Sequence, residues 1–136
     1  MEQCVFCRIV AGQIPCARLI ETDLVFSFLD IRPVNPGHAL IVPKRHADRI
    51  TDATDQELHA CIVTAKRLAA ALMQATGSPG CNVLQNNHRC AGQVVPHVHF
   101  HIIPRSSDDG FSLGWRQIEY AKGEMERIRT EILRRL

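Results

Sequence analysis

The stretch VVPHVHFHIIPR, Val94 to Arg105, sets His97, His99 and His101 at every second position with Val98 and Phe100 between them. Strict period two reads as a strand, because successive strand side chains leave on opposite faces; the segment then has a chemical face and a core face. Neighbouring imidazoles on such a face stand about 6.6 Å apart by strand rise, which lets them flank one substrate group or converge on one ion. A lone histidine is readily a satisfied core residue, but three in this register are an odd way to fill a core, and three protonated rings would repel one another. Neutral imidazole, with an ordinary pKa of about 6.5, is both nucleophile and proton carrier, which suits attack on phosphorus followed by protonation of a leaving group. A His-x-His pair on a strand is also a zinc pincer, so spacing alone leaves both chemistries open.

The rest of the chain is organised as helices and short strands. Thr54 and Glu57 form a capping box, and Leu58, Cys61, Ile62, Ala65, Leu68, Ala69, Leu72 and Met73 follow at helical spacing until Gly77. A second helix is expected from about Gln117 to the C-terminus, with Ala121, Met125, Ile128 and Ile132 inward and Arg/Glu pairs outside. Leu24 to Leu29, Ala39 to Val42, Asn82 to Gln85 and His97 to Ile103 read as strands bounded by turn signals such as NPG and SPG. The loop DIRPVNPGH is too short to hold a helix, so it joins an antiparallel pair, and the class is α+β rather than alternating βαβ units.

With 136 residues, one compact domain spanning 1–136 is expected, with a helical extension from about 117. A net charge of +2, with basic residues scattered except in the last helix, does not point to nucleic acid. No apolar run approaches the roughly 20 residues that span a bilayer, and the first 13 residues lack an apolar core preceded by basic residues, so a cytoplasmic protein without membrane contact is expected. The 6 cysteines are then reduced thiols; Cys61 belongs to the helix core, and only Cys4 and Cys7 form a motif, a typical half of a tetrahedral zinc site.

HVHFHII matches the His-φ-His-φ-His-φ-φ signature, with φ apolar, and resembles the histidine-triad (HIT) family of nucleotide-binding hydrolases and transferases. CVFCRIVAGQIP, FSFLDIRPVNPGHALIVPKRH and AGQVVPHVHFH resemble the same family in its order and spacing, so the likeness runs to about Trp115. It implies the HIT-like fold, an antiparallel sheet of about five strands with one main helix and a C-terminal helix. It also implies that His99 attacks the α-phosphate of a purine nucleotide and forms a covalent nucleotidyl-imidazole, that His101 assists at the leaving atom, and that the main chain of His97 fixes the His99 tautomer. By the same resemblance Asp30 accepts from the ribose hydroxyls, Phe6, Ile14 and Ile31 surround the base, Asn86 and Gln93 serve the phosphate, and His38 supports the triad. Many relatives have Ser or Thr where this chain has Val94, which removes one phosphate donor. Asn86 beside Asn87 also reads simply as a turn former.

A substrate such as a nucleoside phosphoramidate, an adenylylated amine or a dinucleoside polyphosphate follows, with no organic cofactor. Sugar-phosphate transfer is disfavoured because that branch has glutamine at the third triad position, here His101. The alternatives are a nucleotide-sensing or scaffold protein with incidental hydrolysis, and a triad that is itself a catalytic zinc site. Some bacterial-type relatives with the cysteine pair use the histidine of PKRH, here His46, and the first triad histidine, here His97, to complete a structural zinc site with Cys4 and Cys7. A redox or merely structural role for the two thiols is the competing reading. The resemblance finally implies a twofold homodimer, to which Trp115 and the last helix are expected to contribute.

Overall fold

The computed structural model describes residues 3–136; Met1 and Glu2, part of the stretch read above for a leader, lie outside them. A single sheet forms the centre. Its strands are β1 (Arg18–Glu21), β2 (Val25–Leu29), β3 (Ala39–Pro43), β4 (Gly80–Gln85) and β5 (Phe100–Arg105), in the spatial order β1-β2-β3-β5-β4 with every neighbour antiparallel. The helices are α1 (Val5–Val10), α2 (Asp55–Thr76) and α3 (Glu124–Leu133). The α+β antiparallel architecture is the one expected, and it gains two elements: the one-and-a-half-turn α1 and the edge strand β1, whose mostly exposed side chains carry no alternation to read.

Alternation along the strands makes two cores. Val25, Ala39, Ile41, Phe100 and Ile102 point to one face and pack on Cys61, Ala65, Leu68 and Leu72 of α2. Phe26, Phe28, Leu40 and Val42 point to the other and pack on Phe6 and Ile9 of α1. Because Leu40 pairs with His101 in the β3–β5 ladder, His101 shares the α1 face, and Phe100 and Ile102 anchor the α2 face. The expected division of this segment into two faces is therefore present.

The long helix begins where its capping box requires. Thr54 Oγ1 accepts from the Glu57 N–H at 3.2 Å and the Glu57 carboxylate accepts from the Thr54 N–H at 2.8 Å, which satisfies two donors at the helix start. Arg45 also donates two bonds of 2.7 Å to the same carboxylate, tying α2 to the turn after β3. Gly77 closes the helix at φ 68°, a left-handed cap that glycine adopts without strain.

Two expectations are corrected. The triad segment enters the ladder at Phe100, not His97, because the Val98 N–H donates instead to the Ala47 carbonyl at 2.7 Å; His97 to His99 run alongside the loop after β3. The last helix starts at Glu124 rather than near Gln117, after an extended run and a left-handed Gly123. None of its residues is buried: Met125 and Ile132 are more than half exposed and Ile128 is only partly covered, so the described residues leave most of the expected inward face open.

Candidate functional site

The two faces of the sheet put all three triad histidines and His38 on the α1 side or at its margin. His97 is fully buried, His99 and His38 nearly so, and His101 half-buried. Each ring has a definite hydrogen-bond orientation. His99 Nδ1 donates to the His97 carbonyl at 2.7 Å, which leaves Nε2 as its bare nitrogen. No buried side-chain polar atom among the described residues lacks a partner, and His99 Nε2 bonds to none of them, so this nitrogen reaches the open surface. The Phe6 ring stands edge-on to His99, with centroids 5.1 Å apart, and sets the tilt of the imidazole.

A second chain of bonds fixes His101. The Val34 N–H donates to His38 Nδ1 at 3.1 Å, so His38 carries its proton on Nε2 and donates it to His101 Nδ1 at 2.9 Å. His101 is then left with its own proton on Nε2, pointing away from His38. Asp30 Oδ2 lies 3.8 Å from His38 Nε2, and Asp30 Oδ1 accepts from the Arg32 N–H at 2.8 Å. Burial lowers the pKa of His38, His97 and His99, and burial followed by the neighbouring His99 and His38 pushes His101 down to about 4. The rings are therefore neutral near pH 7, as nucleophilic attack requires. Asp30, His38 and His101 could also be read as a metal cluster. The 2.9 Å separation of the two ring nitrogens is that of a hydrogen bond and is shorter than the about 3.3 Å edge of a tetrahedral zinc–nitrogen site.

His97 turns its ring the other way. Its Nε2 donates to the Pro43 carbonyl at 2.8 Å, which leaves Nδ1 bare, 3.4 Å from Cys4 Sγ and 3.6 Å from Cys7 Sγ. Cys7 Sγ is 3.3 Å from His46 Nδ1, and His46 Nε2 is held by Asp48 Oδ1 at 2.8 Å. Zinc bonds of about 2.3 Å to sulfur and 2.0 Å to nitrogen would set these atoms about 3.5 Å apart around a tetrahedron, which the observed spacings match. The donor set suits zinc, and the outer nitrogen of each imidazole is engaged by an oxygen, the arrangement that orients metal-ligating histidines. Burial and the adjacent Cys4 push the Cys7 thiol up to about 11, a strain that a bound cation reverses by favouring thiolate. α1 sets this geometry: Cys4 precedes its first turn and Cys7 lies on it.

The remaining expected residues divide. Phe6 is buried and Ile14 half-buried beside it, whereas Ile31 is 89 % exposed and stands at the rim of this face. Asn86 is half-buried, with its amide against Gly92, where a Cβ would approach Nδ2 to 3.3 Å; Gly92 also holds φ 94°, so glycine is required twice over. Gln93 also braces its loop, its Nε2 donating to the Asp48 carbonyl at 2.5 Å and its Oε1 accepting from the His88 N–H at 2.8 Å. Val94 is 86 % exposed. The pairing of His38 with His101 and the roles of Pro43 and Asp48 behind the cysteine pocket went unread, and a carbonyl oxygen has no signature in sequence.

Comparison with known proteins identifies the family. The HIT domain matches residues 11–108. The chain belongs to the HIT family. Among its relatives, adenosine 5'-monophosphoramidase of Schizosaccharomyces pombe is 42% identical over 130 residues, 95% of each chain. The crystal structure of a HIT family member from Bacillus subtilis superimposes with a TM-score of 0.92 at 37% identity, covering 98% of this HIT chain and 97% of the other. A zinc-bound histidine triad family protein from Mycobacterium smegmatis superimposes with a TM-score of 0.78 at 30% identity, covering 98% and 95%.

Proposed function

We propose that this HIT protein hydrolyses purine nucleoside phosphoramidates or related α-phosphate derivatives through a nucleotidyl-His99 intermediate. The observation that carries the reading is the opposite tautomers of two neighbouring rings: His99 with a bare Nε2 and His101 with a protonated one. His99 Nε2 attacks the α-phosphorus as the bond to the leaving nitrogen breaks; His101 Nε2–H holds that nitrogen by a hydrogen bond while it takes a proton from solvent and departs as the amine. The Nδ1–H of His99 remains on the His97 carbonyl, which stabilises the positive ring formed by attack. Water then attacks the phosphorus of nucleotidyl-His99 as the P–N bond to the ring breaks, and it returns to solvent the proton drawn in the first step, releasing the mononucleotide and restoring the neutral His99 ring. The His38 bond keeps His101 in the required orientation throughout.

In this reading Asp30 accepts from the ribose hydroxyls, Phe6, Ile14 and Ile31 surround the base, and Asn86 serves the phosphate together with the Val94 backbone N–H, since those of Gly92 and Gln93 donate to the Arg89 and His88 carbonyls. The kinship to a named adenosine 5'-monophosphoramidase favours an AMP derivative as substrate. Cys4, Cys7, His46 and His97 hold a structural zinc ion, supported by their spacing and by the zinc-bound relative. Bound there, zinc keeps both thiols as thiolates and ties the N-terminal segment to the strand that carries His99. A reducing, cytoplasmic setting fits the 6 free cysteines, and no helix among the described residues is long and apolar enough to cross a membrane.

The protein acts as a twofold homodimer. The run from 112 to 136 is almost wholly exposed, with Trp115, Ile118 and Leu136 at 80%, 78% and 96%, yet a solved relative keeps the same course over 98% of the chain. A second copy is the simplest surface to hold it. The test of the activity is a rapid acid-free quench after mixing with adenosine 5′-phosphoramidate: an acid-labile adenylyl group on the peptide bearing His99 is expected, absent from His99→Ala. Turnover that persists in His99→Ala, or a wild-type reaction without a covalent species, would remove the mechanism.

A further inference from the structure

Beside the triad, on the side of His97 and away from Asp30 and His38, opens a cleft of about 430 Å³ lined by Asp48, Arg49, His88, Arg89, Gln93 and Val94 among others. It is a built feature. His88 is the one described non-glycine residue with positive φ, 69°, a conformation that persists only where the surroundings impose it. The buried Gln93 imposes it, since its Oε1 accepts the His88 N–H and its Nε2 is anchored on the Asp48 carbonyl. So held, the His88 ring receives a bond from Arg49 Nη1 at 3.3 Å, and Arg49 Nε pairs with Asp52 at 3.1 Å. Arg89 follows His88 on the exposed turn and makes no ion pair among the described residues. The one carboxylate on the lining, Asp48, is engaged by His46. Two guanidinium groups and an imidazole therefore face a cavity whose acidic member is turned to another partner.

The geometry points to this cleft as the site for a negatively charged leaving group, which narrows the proposed substrates to α-phosphate derivatives whose departing part carries carboxylate, phosphate or sulfate. The inference rests on the proposed hydrolysis at His99. Along the extended segment the nucleoside-side residues Asp30 and His38 meet His101, one end of the row, whereas the cleft wall at Pro96 lies beyond the other end. From Pro96 to His99 the chain spans three residues, at most roughly 10 Å, so a group bonded to phosphorus at His99 reaches the cleft within a few bonds. Arginine presents a planar fork of donors that suits carboxylate and phosphate oxygens alike. The chain has Val94 on this wall, with no hydroxyl to hold an oxygen, which leaves the arginines as the charged donors there.

The test compares two substrates with the same P–N bond, the adenosine 5′-phosphoramidates of glutamate and of a neutral amine of equal length, and adds adenylyl sulfate, whose scissile bond is P–O, as a third arm to separate carboxylate from sulfate. The quantity read is the ratio of kcat/KM for an anionic substrate to that for the neutral one, in wild type and in Arg49→Gln and Arg89→Gln. The wild-type ratio should exceed unity, and each substitution should lower it about tenfold, the loss of one charge-assisted hydrogen bond. A fall for both glutamate and sulfate supports a general anion site, and a fall for one alone assigns the site to that anion. Turnover with an unchanged ratio overturns the cleft and leaves the His99 reaction standing. No turnover of any substrate by wild type overturns both.

Discussion

The two ends of the histidine row use the same side chain in opposite ways. At one end His97 and His46 each engage an oxygen through Nε2 and turn Nδ1 toward the thiols of Cys4 and Cys7. At the other, His38 gives its Nε2 proton to His101 Nδ1, so that His101 presents a donor outward. His99 sits between them and bonds through Nδ1 to the carbonyl of His97, the residue that belongs to both ends. The identity of the residue does not assign the task. The oxygen or nitrogen engaged by the far side of each ring does, since it decides which nitrogen is bare and which carries a proton.

The contrast breaks most sharply at His99. His99→Ala should lower turnover of adenosine 5′-phosphoramidate by about 10³-fold or more while zinc content stays near one equivalent. An equal loss of metal in that variant would mean the two ends are one structure. Cys4→Ala tests the reverse: zinc content should fall well below one equivalent and stability by about 3 kcal/mol, read as a Tm about 10 °C lower, with the single-turnover chemical step changed by less than about fivefold. Protein purified without chelator that holds under about a tenth of an equivalent of zinc would end the zinc assignment. His38→Ala, which releases His101 from its partner, should lower kcat about 10- to 100-fold without loss of zinc; a change in KM alone would make His38 a binding residue.

The smallest effect lies away from the row, on α2. Arg45 holds the buried Glu57 carboxylate charged, at a pKa of about 2 against an ordinary 4.5. A carboxylate with a depressed folded pKa stabilises fully above its unfolded value and loses that contribution as pH falls through the folded one. Glu57→Gln should therefore cost about 1–2 kcal/mol at pH 7, discounted because Arg45 is half exposed, and the gap from wild type should close between pH 4.5 and 2. Denaturant midpoints at three pH values in that range decide it.

What was legible in the sequence follows from how locally each feature is determined. Thr54, Glu57 and Gly77 mark α2 because a cap depends on a few adjacent residues. The two faces of the triad segment were legible because period two is a geometric property of an extended chain, even though His97 to His99 lie outside the ladder, where Val98 bonds to Ala47. Cys4 and Cys7 were legible as a pair from their spacing, whereas His46 and His97 came from likeness to relatives; Cys4 and His97 are 93 positions apart, and nothing in their neighbours announces the contact. The bracing role of Gln93 has no local signal, because its partners, Asp48 and the strained His88, are brought to it only by the fold. The last helix was misread for a different reason. Its amphipathic pattern is real, but a pattern tells that a face wants covering and not which chain covers it.

That exposed run carries an optical consequence. Trp115 is the protein's single tryptophan, and in the isolated chain it is 80% open to water. Its emission is thus a clean reporter with no background from a second indole. Dilution that separates two copies should shift the emission toward longer wavelengths, and the midpoint of that shift reads out the dissociation constant with no label attached.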